Sequence, residues 1–419
     1  MKRLILLAGI SLLAGLAPAQ TPAAERTLGK DGEFRITLPA TPYVYEVPQL
    51  ARGQRGSGQR GPGRSQDNTP SNNAITNAGA TLGRVLFYDK RLSITKTVAC
   101  ATCHQQKHAF AEPTRVSTGI HSRKGKRNSP SLVNVRYHRS GRFFWDERAE
   151  SLEEQVLMPI QDQLEMGFEL PDLVDRLGGL YEYSVLFHDA FDDPEVTEEG
   201  IARALAQFVR SMTSFESRFD RGLAKAESVD VAFADFTDEE SLGKRLFFEG
   251  SGRGASCASC HGSRGRGRGR GRDQRPGTSR QLGDVLASST PRNIGLDRKT
   301  GDDRGMGAVS GRENDDGKFK APSLRNVEVS APYMHDGRFA TLEEVVEHYS
   351  NGVKDHPNLD RRLAGRRGRG GRGRIGGRSS SRGMNLSSRE RKALVAFLKT
   401  LTDREFLTDP RFSSPFRSK

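Results

Sequence analysis

The chain has 419 residues, of which 34% are hydrophobic, and it carries a formal net charge of +14. A chain of this length predicts two compact domains. Beyond the N-terminus no apolar run is long enough to cross a bilayer, which excludes an integral membrane segment there.

The N-terminus has the pattern of a secretory signal peptide. Two basic residues precede an apolar run over residues 4–16, and Ala17-Pro18-Ala19 follows as a small-x-small cleavage sequence. The run is too short and too clearly terminated for a membrane span. We therefore expect residues 1–19 to be removed and the mature protein to be soluble and periplasmic.

Three Gly/Arg-rich tracts, 51–66, 263–276 and 361–382, account for the basic charge. They hold 19 arginines and a single acid, Asp273, so the rest of the chain has a net charge of −4. Such tracts are typical of nucleic-acid segments, of solvated disordered loops, or of contacts with an acidic redox partner. The signal peptide argues against nucleic acid, and we expect disordered loops.

In chain order, residues 20–77 lack helical periodicity and are expected to form a flexible N-terminal extension. Apolar residues then recur at helical spacing in several segments, and capping boxes at Thr237 and Ser387 begin two later helices. Helices are predicted over Ala78–Phe87, Leu152–Ile160, Leu173–Leu186 and residues 197–216, and after Thr237 and Ser387. Pro159 and Pro171 break the helical pattern around the second and third of these. No convincing run of alternating strands appears, so the predicted fold class is mostly α.

All four cysteines lie in two copies of one pentapeptide, Cys100-Ala101-Thr102-Cys103-His104 and Cys257-Ala258-Ser259-Cys260-His261. C-x-x-C-H is the attachment sequence of c-type haem, in which two thiols bond the porphyrin and the histidine binds the iron. A zinc site would need both pairs in one tetrahedron, and a redox dithiol gives no reason for the two histidines. We therefore expect two covalently bound haem c groups.

The segments that lead to the two motifs, GRVLFYDKRLS and GKRLFFEGSG, are similar and indicate an internal duplication. We expect an N-terminal cytochrome c-like domain over 78–235, a C-terminal one with the Arg/Gly inserts over 236–404, and a tail over 405–419.

Several further segments resemble the bacterial di-haem cytochrome c peroxidase superfamily, in particular its MauG-like branch. They are LFYDKRLSITKTVACATCH, GKRNSPSLVNV, FFWDERAESLEEQVLMPIQDQLEM and GKFKAPSLRNVEVSAPYMHDGRFATLEEVVEHY, and the resemblance spans roughly residues 78–404. The superfamily contains hydrogen peroxide reductases and enzymes that oxidise a partner protein.

The resemblance implies roles for individual residues. His104 would bind the iron of the N-terminal, peroxidatic haem, and His261 that of the C-terminal, electron-transferring haem. Trp145, the only tryptophan, matches the tryptophan between the two haems. Glu165 matches the acid–base residue over the peroxidatic iron, and Gln155 and Pro159 match other residues of that distal pocket.

The resemblance also implies a calcium ion between the domains, bound by Asn128 and the main-chain carbonyls of Ser330 and Pro332. Oxygen ligands with few carboxylates suit this hard cation. The competing interpretation is that Asn128 simply caps a turn.

Two positions distinguish the branches of the superfamily. Peroxidases proper use a methionine as second ligand of the C-terminal haem, whereas the alignment puts Tyr349 there, as in MauG-like proteins; Met334 is the rival ligand. His121 lies near a histidine that gates the peroxidatic iron in many peroxidases, but its spacing to Asn128 is about one residue short. It is either that gating ligand or an exposed loop residue.

The leading hypothesis is a periplasmic di-haem peroxidase that reduces hydrogen peroxide at the N-terminal haem with electrons relayed from the C-terminal haem. The electron donor would be a small c-type cytochrome or a cupredoxin. Alternatives are a MauG-like oxidase of a partner protein and a non-catalytic electron-transfer cytochrome. Family members often pair as homodimers.

Overall fold

The computed structural model describes residues 25–29, 34–45, 67–138, 140–226, 229–250, 256–261, 290–364 and 382–416. The expected signal peptide lies outside the described residues. So do the Arg/Gly tracts, apart from residues 361–364 and 382.

The described chain is mostly α-helical, as the hydrophobic periodicity predicts. A two-stranded antiparallel sheet, β1 (Glu25–Leu28) and β2 (Ile36–Pro39), comes first. The helices of the first half are α1 (Asn77–Tyr88), α2 (Cys100–Cys103), α3 (Leu152–Gln161), α4 (Leu170–Gly178), α5 (Tyr181–Phe191) and α6 (Glu198–Ser211). Those of the second half are α7 (Arg218–Lys225), α8 (Asp238–Glu249), α9 (Ala258–His261), α10 (Met306–Ser310), α11 (Leu342–Glu347) and α12 (Ser388–Lys399).

The helix starts follow the local sequence signals. Thr237 accepts a hydrogen bond from the Glu240 main-chain N–H, and the Glu240 carboxylate accepts one from the Thr237 N–H at 2.8 Å, so the predicted capping box is confirmed. Ser387 and Glu390 form the same arrangement at α12. Pro171 lies in the first turn of α4, where no N–H bond is lost. Pro159, in contrast, lies inside α3, which continues to Gln161 rather than ending there.

Two equivalent glycines place the central helix pair of each domain in close contact. Gly83 of α1 lies against the Ala204 carbonyl and the Phe208 side chain of α6, and a Cβ at this position would collide with both. Gly243 of α8 makes the same contacts with Ala393 and Phe397 of α12. The same close approach therefore recurs in both halves, as expected for a duplicated domain.

The hydrophobic core changes between α6 and α7. The ring of Phe219 in α7 stacks on Phe248, with 6.1 Å between the ring centroids, and lies edge-on to Phe397 at 5.7 Å, so α7 packs in the second core. The second core thus includes residues that precede the predicted domain boundary at residue 235, which stays a prediction.

The prediction of a flexible extension over 20–77 and of no strands is wrong for the described residues of that segment. β1 and β2 pair, and Ile36 and Leu38 are buried in the first core because this short ribbon covers it. The tail likewise returns to the first domain. Phe406 and Phe412 are buried there, and Thr37 donates its main-chain N–H to the Pro415 carbonyl at 2.8 Å.

Part of the third Arg/Gly tract also differs from the expected solvated loop. Leu363 is buried, Arg362 lies against the second haem motif, and Arg382 pairs with Asp355 at 2.6 Å. Among the described residues, no helix combines the length and apolar character needed to cross a membrane.

Candidate functional site

The N-terminal haem motif opens onto a cavity that also receives the predicted distal residues. Its wall contains Cys100, Cys103 and His104 together with Gln155, Pro159 and Glu165. These residues come from α2, α3 and the turn after α3, up to 65 positions apart in the chain. The structure therefore brings the predicted N-terminal set together around one space.

His104 is held in the form that binds a metal. Its Nδ1 lies 2.7 Å from the Phe110 carbonyl, which requires Nδ1 to carry the proton. Burial lowers the pKa of His104 to about 4, so the imidazole is neutral at pH 7. A neutral ring with its Nδ1–H engaged presents Nε2 as a ligand atom.

Helix α3 places Gln155 and Pro159 on one face, because residues four apart in a helix lie one above the other. Pro159 has no N–H to donate to the Gln155 carbonyl. Ser151 begins the helix by accepting a hydrogen bond from the Glu154 N–H at 3.1 Å. Both side chains that the resemblance assigned to the distal pocket thus line the cavity.

Glu165 is fixed by the loops on either side of it. Its main-chain N–H donates to the Asp162 carbonyl at 2.9 Å, and its carbonyl accepts from the Ile120 N–H at 2.9 Å. Gly119 presses against this segment so closely that a Cβ would collide with it. Burial, and next the nearby Asp162 carboxylate, raise the pKa of Glu165 to about 7. Such a carboxyl group can take up and release a proton near neutrality.

The second haem motif lines a separate, larger cavity in the C-terminal domain. Cys257, Cys260 and His261 are in its wall, with Tyr349 and Met334. The two cysteine pairs therefore face different spaces. Among the described residues, no cluster of three or more His, Cys, Asp and Glu side chains could hold a metal ion. The placement of the two cysteine pairs in different cavities does not fit a single tetrahedral zinc site.

Tyr349 lies beside the second cysteine pair. It belongs to a π-helical turn, His348–Gly352, that continues α11, and its main-chain carbonyl accepts from the Met384 N–H at 2.9 Å. Burial raises the pKa of the Tyr349 phenol above its usual value, with a further contribution from Cys260 and Cys257. Met334 lines the same cavity, so both predicted ligand candidates face the space of the second haem motif.

One short segment, residues 128–132, contributes to both cavities. Asn128, Pro130 and Ser131 line the C-terminal cavity, whereas Ser129 and Leu132 line the N-terminal one. Residues 128–132 therefore contribute to the walls of both cavities.

Trp145 is buried against this segment. Its indole N–H donates to the Asn128 carbonyl at 2.7 Å. Its ring lies roughly perpendicular to that of His335, with 6.5 Å between the ring centroids, and lines the C-terminal cavity. The side chain is 8% exposed. A large aromatic ring thus lies in the wall of the C-terminal cavity and is bonded to a segment that also lines the N-terminal one.

The predicted calcium ligands lie in the same wall. Asn128 is buried, and its side-chain amide N–H groups donate to the carbonyls of Glu112 at 3.2 Å and Thr114 at 2.8 Å. Ser330 and Pro332 line the C-terminal cavity together with Asn128. Their amide and carbonyl oxygens are of the type that calcium binds.

His121 is exposed and is not part of the wall of the N-terminal cavity, although Gly119, two residues earlier, is. It has left-handed backbone dihedrals, with φ 53°, in the turn Ile120–Ser122. In this conformation the loop keeps the histidine at the surface.

Other residues of the C-terminal cavity were not singled out by the sequence patterns. Met384, His335 and Lys320 line it. Lys320 and His335 lie inside the segment that resembles the superfamily, but no pattern in the sequence distinguishes a charged or polar side chain that lines a cavity from one at the surface. Met384 follows the third Arg/Gly tract and has no motif of its own.

Two helical domains, each with a C-x-x-C-H sequence in the wall of its own cavity, define a c-type cytochrome class of protein. The family model described as di-haem cytochrome c peroxidase matches residues 77–228 and 237–363. The chain belongs to this family, which implies two haem c groups, and it is an oxidoreductase that acts on hydrogen peroxide.

The chain is 30% identical over 342 residues to methylamine utilization protein MauG of Methylophilus methylotrophus, covering 79% of this chain and 84% of that protein. It is 31% identical over 268 residues to cytochrome c551 peroxidase of Nitrosomonas europaea, covering 64% of this chain and 71% of that one. A solved MauG-like protein associated with microbial copper homeostasis is similar at TM-score 0.66 and 30% identity, covering 90% of this chain and 100% of that one.

Proposed function

We propose that this protein reduces hydrogen peroxide in the N-terminal cavity, with electrons relayed from the C-terminal cavity past Trp145. The observation that carries the proposal is the wall of the N-terminal cavity. It combines the haem attachment residues with Glu165, a carboxyl group whose pKa lies near neutrality. A protein that only transferred electrons would not need a buried acid–base group at this position.

Different residues of the cavity would act on peroxide at different points of the reaction. Haem c, attached through Cys100 and Cys103, would supply the iron that binds peroxide and exchanges electrons. Glu165 takes a proton from one peroxide oxygen and returns it to the other as the O–O bond breaks. Reduction of hydrogen peroxide to two water molecules consumes two electrons and two protons. Within the cavity, Glu165 carries the transferred proton from one peroxide oxygen to the other.

Gln155 and Pro159 complete this distal wall. The Gln155 amide can donate a hydrogen bond to peroxide or hold a water molecule, while Pro159 offers no competing donor. The Phe110 carbonyl accepts the Nδ1–H of His104, which leaves Nε2 as the atom that would bind the haem iron. His121, at the surface, leaves the distal side accessible.

Electrons would enter at the C-terminal cavity from a small c-type cytochrome or a cupredoxin, in the periplasm. Trp145 provides a π system in the wall of the C-terminal cavity, and its hydrogen-bond partner Asn128 is followed by Ser129, which lines the N-terminal cavity. A calcium ion bound by Asn128, Ser330 and Pro332 would hold that wall together, because Asn128 also contacts Trp145.

A second function, oxidation of a partner protein, is favoured by one observation. Tyr349 lies beside Cys257 and Cys260, in a cavity wall that also contains Met334. A phenolate ligand stabilises oxidised iron, which suits an enzyme that withdraws electrons from a protein substrate. Tyr349 also predicts that the enzyme reacts with peroxide without prior reduction.

Electron paramagnetic resonance of the as-purified diferric protein, before and after hydrogen peroxide, tests the proposal. We expect one high-spin signal that peroxide abolishes and one low-spin signal. Low-spin iron at both sites that stays inert to peroxide in every redox state would contradict peroxide chemistry and favour a pure electron-transfer protein. Reactivity only after partial reduction would assign His121 as a gating ligand.

A further inference from the structure

Arg362, at the start of the third Arg/Gly tract, contacts the second haem motif directly. Its Nη1 donates to the Cys260 Sγ at 3.2 Å and to the Ser259 carbonyl at 3.1 Å. The half-buried side chain lines the C-terminal cavity together with these two residues. A guanidinium group that the composition of the tract assigned to solvent is therefore hydrogen-bonded to a haem attachment atom.

The main chain around Arg362 is fixed on both sides. The Asp360 N–H donates to the Asn293 carbonyl at 2.9 Å, and the Asp360 carboxylate accepts from the Arg362 N–H at 2.9 Å. Leu363 is buried, and its carbonyl accepts from the Gly383 N–H at 3.0 Å. The guanidinium group is thus carried by a segment with a defined position beside the haem motif.

The positive charge of Arg362 is only loosely compensated by the carboxylates of the cavity wall. An oxygen of Asp360 lies 3.9 Å from the Arg362 Nη1, but the same oxygen lies closer to Arg292, at 3.0 Å. The other carboxylates among the described residues of this wall, Asp297 and Asp303, also pair with arginines. The charge of Arg362 therefore acts on its surroundings, and the Cys260 sulfur is in direct contact with it.

The N-terminal haem motif lacks a counterpart of this contact. Among the described residues that line the N-terminal cavity there is no lysine or arginine, and Cys103 shares that wall with Ser117 and Ser129. The acidic side chain of Glu165 lies in the same wall. The two haem motifs therefore differ in the charge that their surroundings place beside the second cysteine.

We propose that Arg362 hydrogen-bonds the thioether sulfur through which Cys260 holds the C-terminal haem and raises the midpoint potential of that haem. A thioether sulfur accepts a weak hydrogen bond, and a nearby positive charge favours the reduced iron, because reduction removes one positive charge from the haem. The inference rests on the proposed function, in which the C-terminal haem receives the electrons. Arg362 acts through the sulfur and is not a catalytic residue.

The test compares Arg362→Gln, Arg362→Met and Arg362→Lys with wild type. Arg361→Gln is the matched control, because Arg361 is the preceding residue of the same tract, carries the same charge and is exposed. Haem per chain is measured first, then the midpoint potential of each haem by spectroelectrochemical titration. Resonance Raman spectra then report the carbon–sulfur stretching bands of the thioethers.

We expect both neutral variants to keep two haems and to lower the midpoint potential of the C-terminal haem, while that of the N-terminal haem stays unchanged. One carbon–sulfur band should shift in the same two variants, because the sulfur loses its hydrogen-bond donor or its charged neighbour. Arg362→Lys should keep the wild-type potential, since the charge remains, and Arg361→Gln should match wild type in every measurement.

Unchanged potentials and bands in both neutral variants, with two haems bound, would overturn the inference alone, as would an equal change in Arg361→Gln. One haem per wild-type chain would instead overturn the proposed function. If the neutral variants fail to hold the C-terminal haem, Arg362→Lys decides. Two haems at the wild-type potential in that variant support the role of the charge, and a lost haem or a lowered potential overturns it.

Discussion

The indole N–H of Trp145 donates to the Asn128 carbonyl at 2.7 Å, and this contact joins the aromatic ring to the segment 128–132. Residues of this segment line both cavities, so the ring of Trp145, in the wall of the C-terminal cavity, is bonded to a segment that also reaches the N-terminal one. Because the acceptor is an amide carbonyl and not a base, the bond fixes the ring without providing a site for its proton.

Trp145→Phe should therefore lower the steady-state rate of peroxide reduction by about tenfold or more, because the phenylalanine ring is harder to oxidise and lacks the N–H. A tenfold loss of rate corresponds to about 1.4 kcal/mol in the barrier. The direct reaction of the N-terminal site with peroxide should persist. Turnover with a reduced cytochrome donor and stopped-flow spectra measure the two. Tyr137→Phe, at a ring that lines neither cavity, is the control. Full turnover in Trp145→Phe would show that electrons take another route.

Glu165→Gln should slow the peroxide reaction by about 10²–10⁴-fold, because an amide cannot accept the peroxide proton. In wild type the pKa of Glu165 is raised to about 7, and the proton-accepting form is the carboxylate. The rate should thus fall as pH drops below about 7 and level off above it. Stopped-flow rates across pH should show this step in wild type and not in the variant. Glu154→Gln, at an exposed glutamate of α3, should keep it.

Tyr349→Phe should change the low-spin electron paramagnetic resonance signal of the C-terminal haem, because the phenol oxygen beside the cysteine pair is lost. Tyr349→Met should raise the midpoint potential, since a thioether stabilises reduced iron better than a phenolate does. Met334→Leu is the control in the same cavity. A signal that responds to Met334→Leu and ignores Tyr349→Phe would assign the ligand to Met334.

Gly83→Ala and Gly243→Ala should each destabilise the protein, because the added methyl group collides with a main-chain carbonyl of the facing helix. Overpacking of this kind costs about 1–3 kcal/mol. In a protein of this size that lowers the melting temperature by about 2–4 °C per kcal/mol. Gly178→Ala, where an added Cβ meets nothing within 4 Å, is the control. Equal melting temperatures in all three variants would disprove the close contact of the paired helices.

The sequence by itself determined the features that depend on near neighbours in the chain. The C-x-x-C-H spacing is a property of five consecutive residues, and the capping boxes at Thr237 and Ser387 join residues three positions apart. The helices and the helical fold class follow from the same local periodicity. The resemblance placed Gln155, Pro159 and Glu165 in one pocket, and the structure has them there because α3 and its following turn form a continuous local unit.

Only the tertiary structure decided the features that depend on what covers a residue. The pKa of Glu165 near 7 arises from burial, which the neighbouring residues in the chain do not indicate. The ribbon of β1 and β2, the α7 contact with the second core and the return of Phe412 to the first domain come from packing between distant segments. No sequence pattern marks Lys320, and it lines the C-terminal cavity in the fold. Burial and desolvation act through space, so they are settled only when the whole chain has folded.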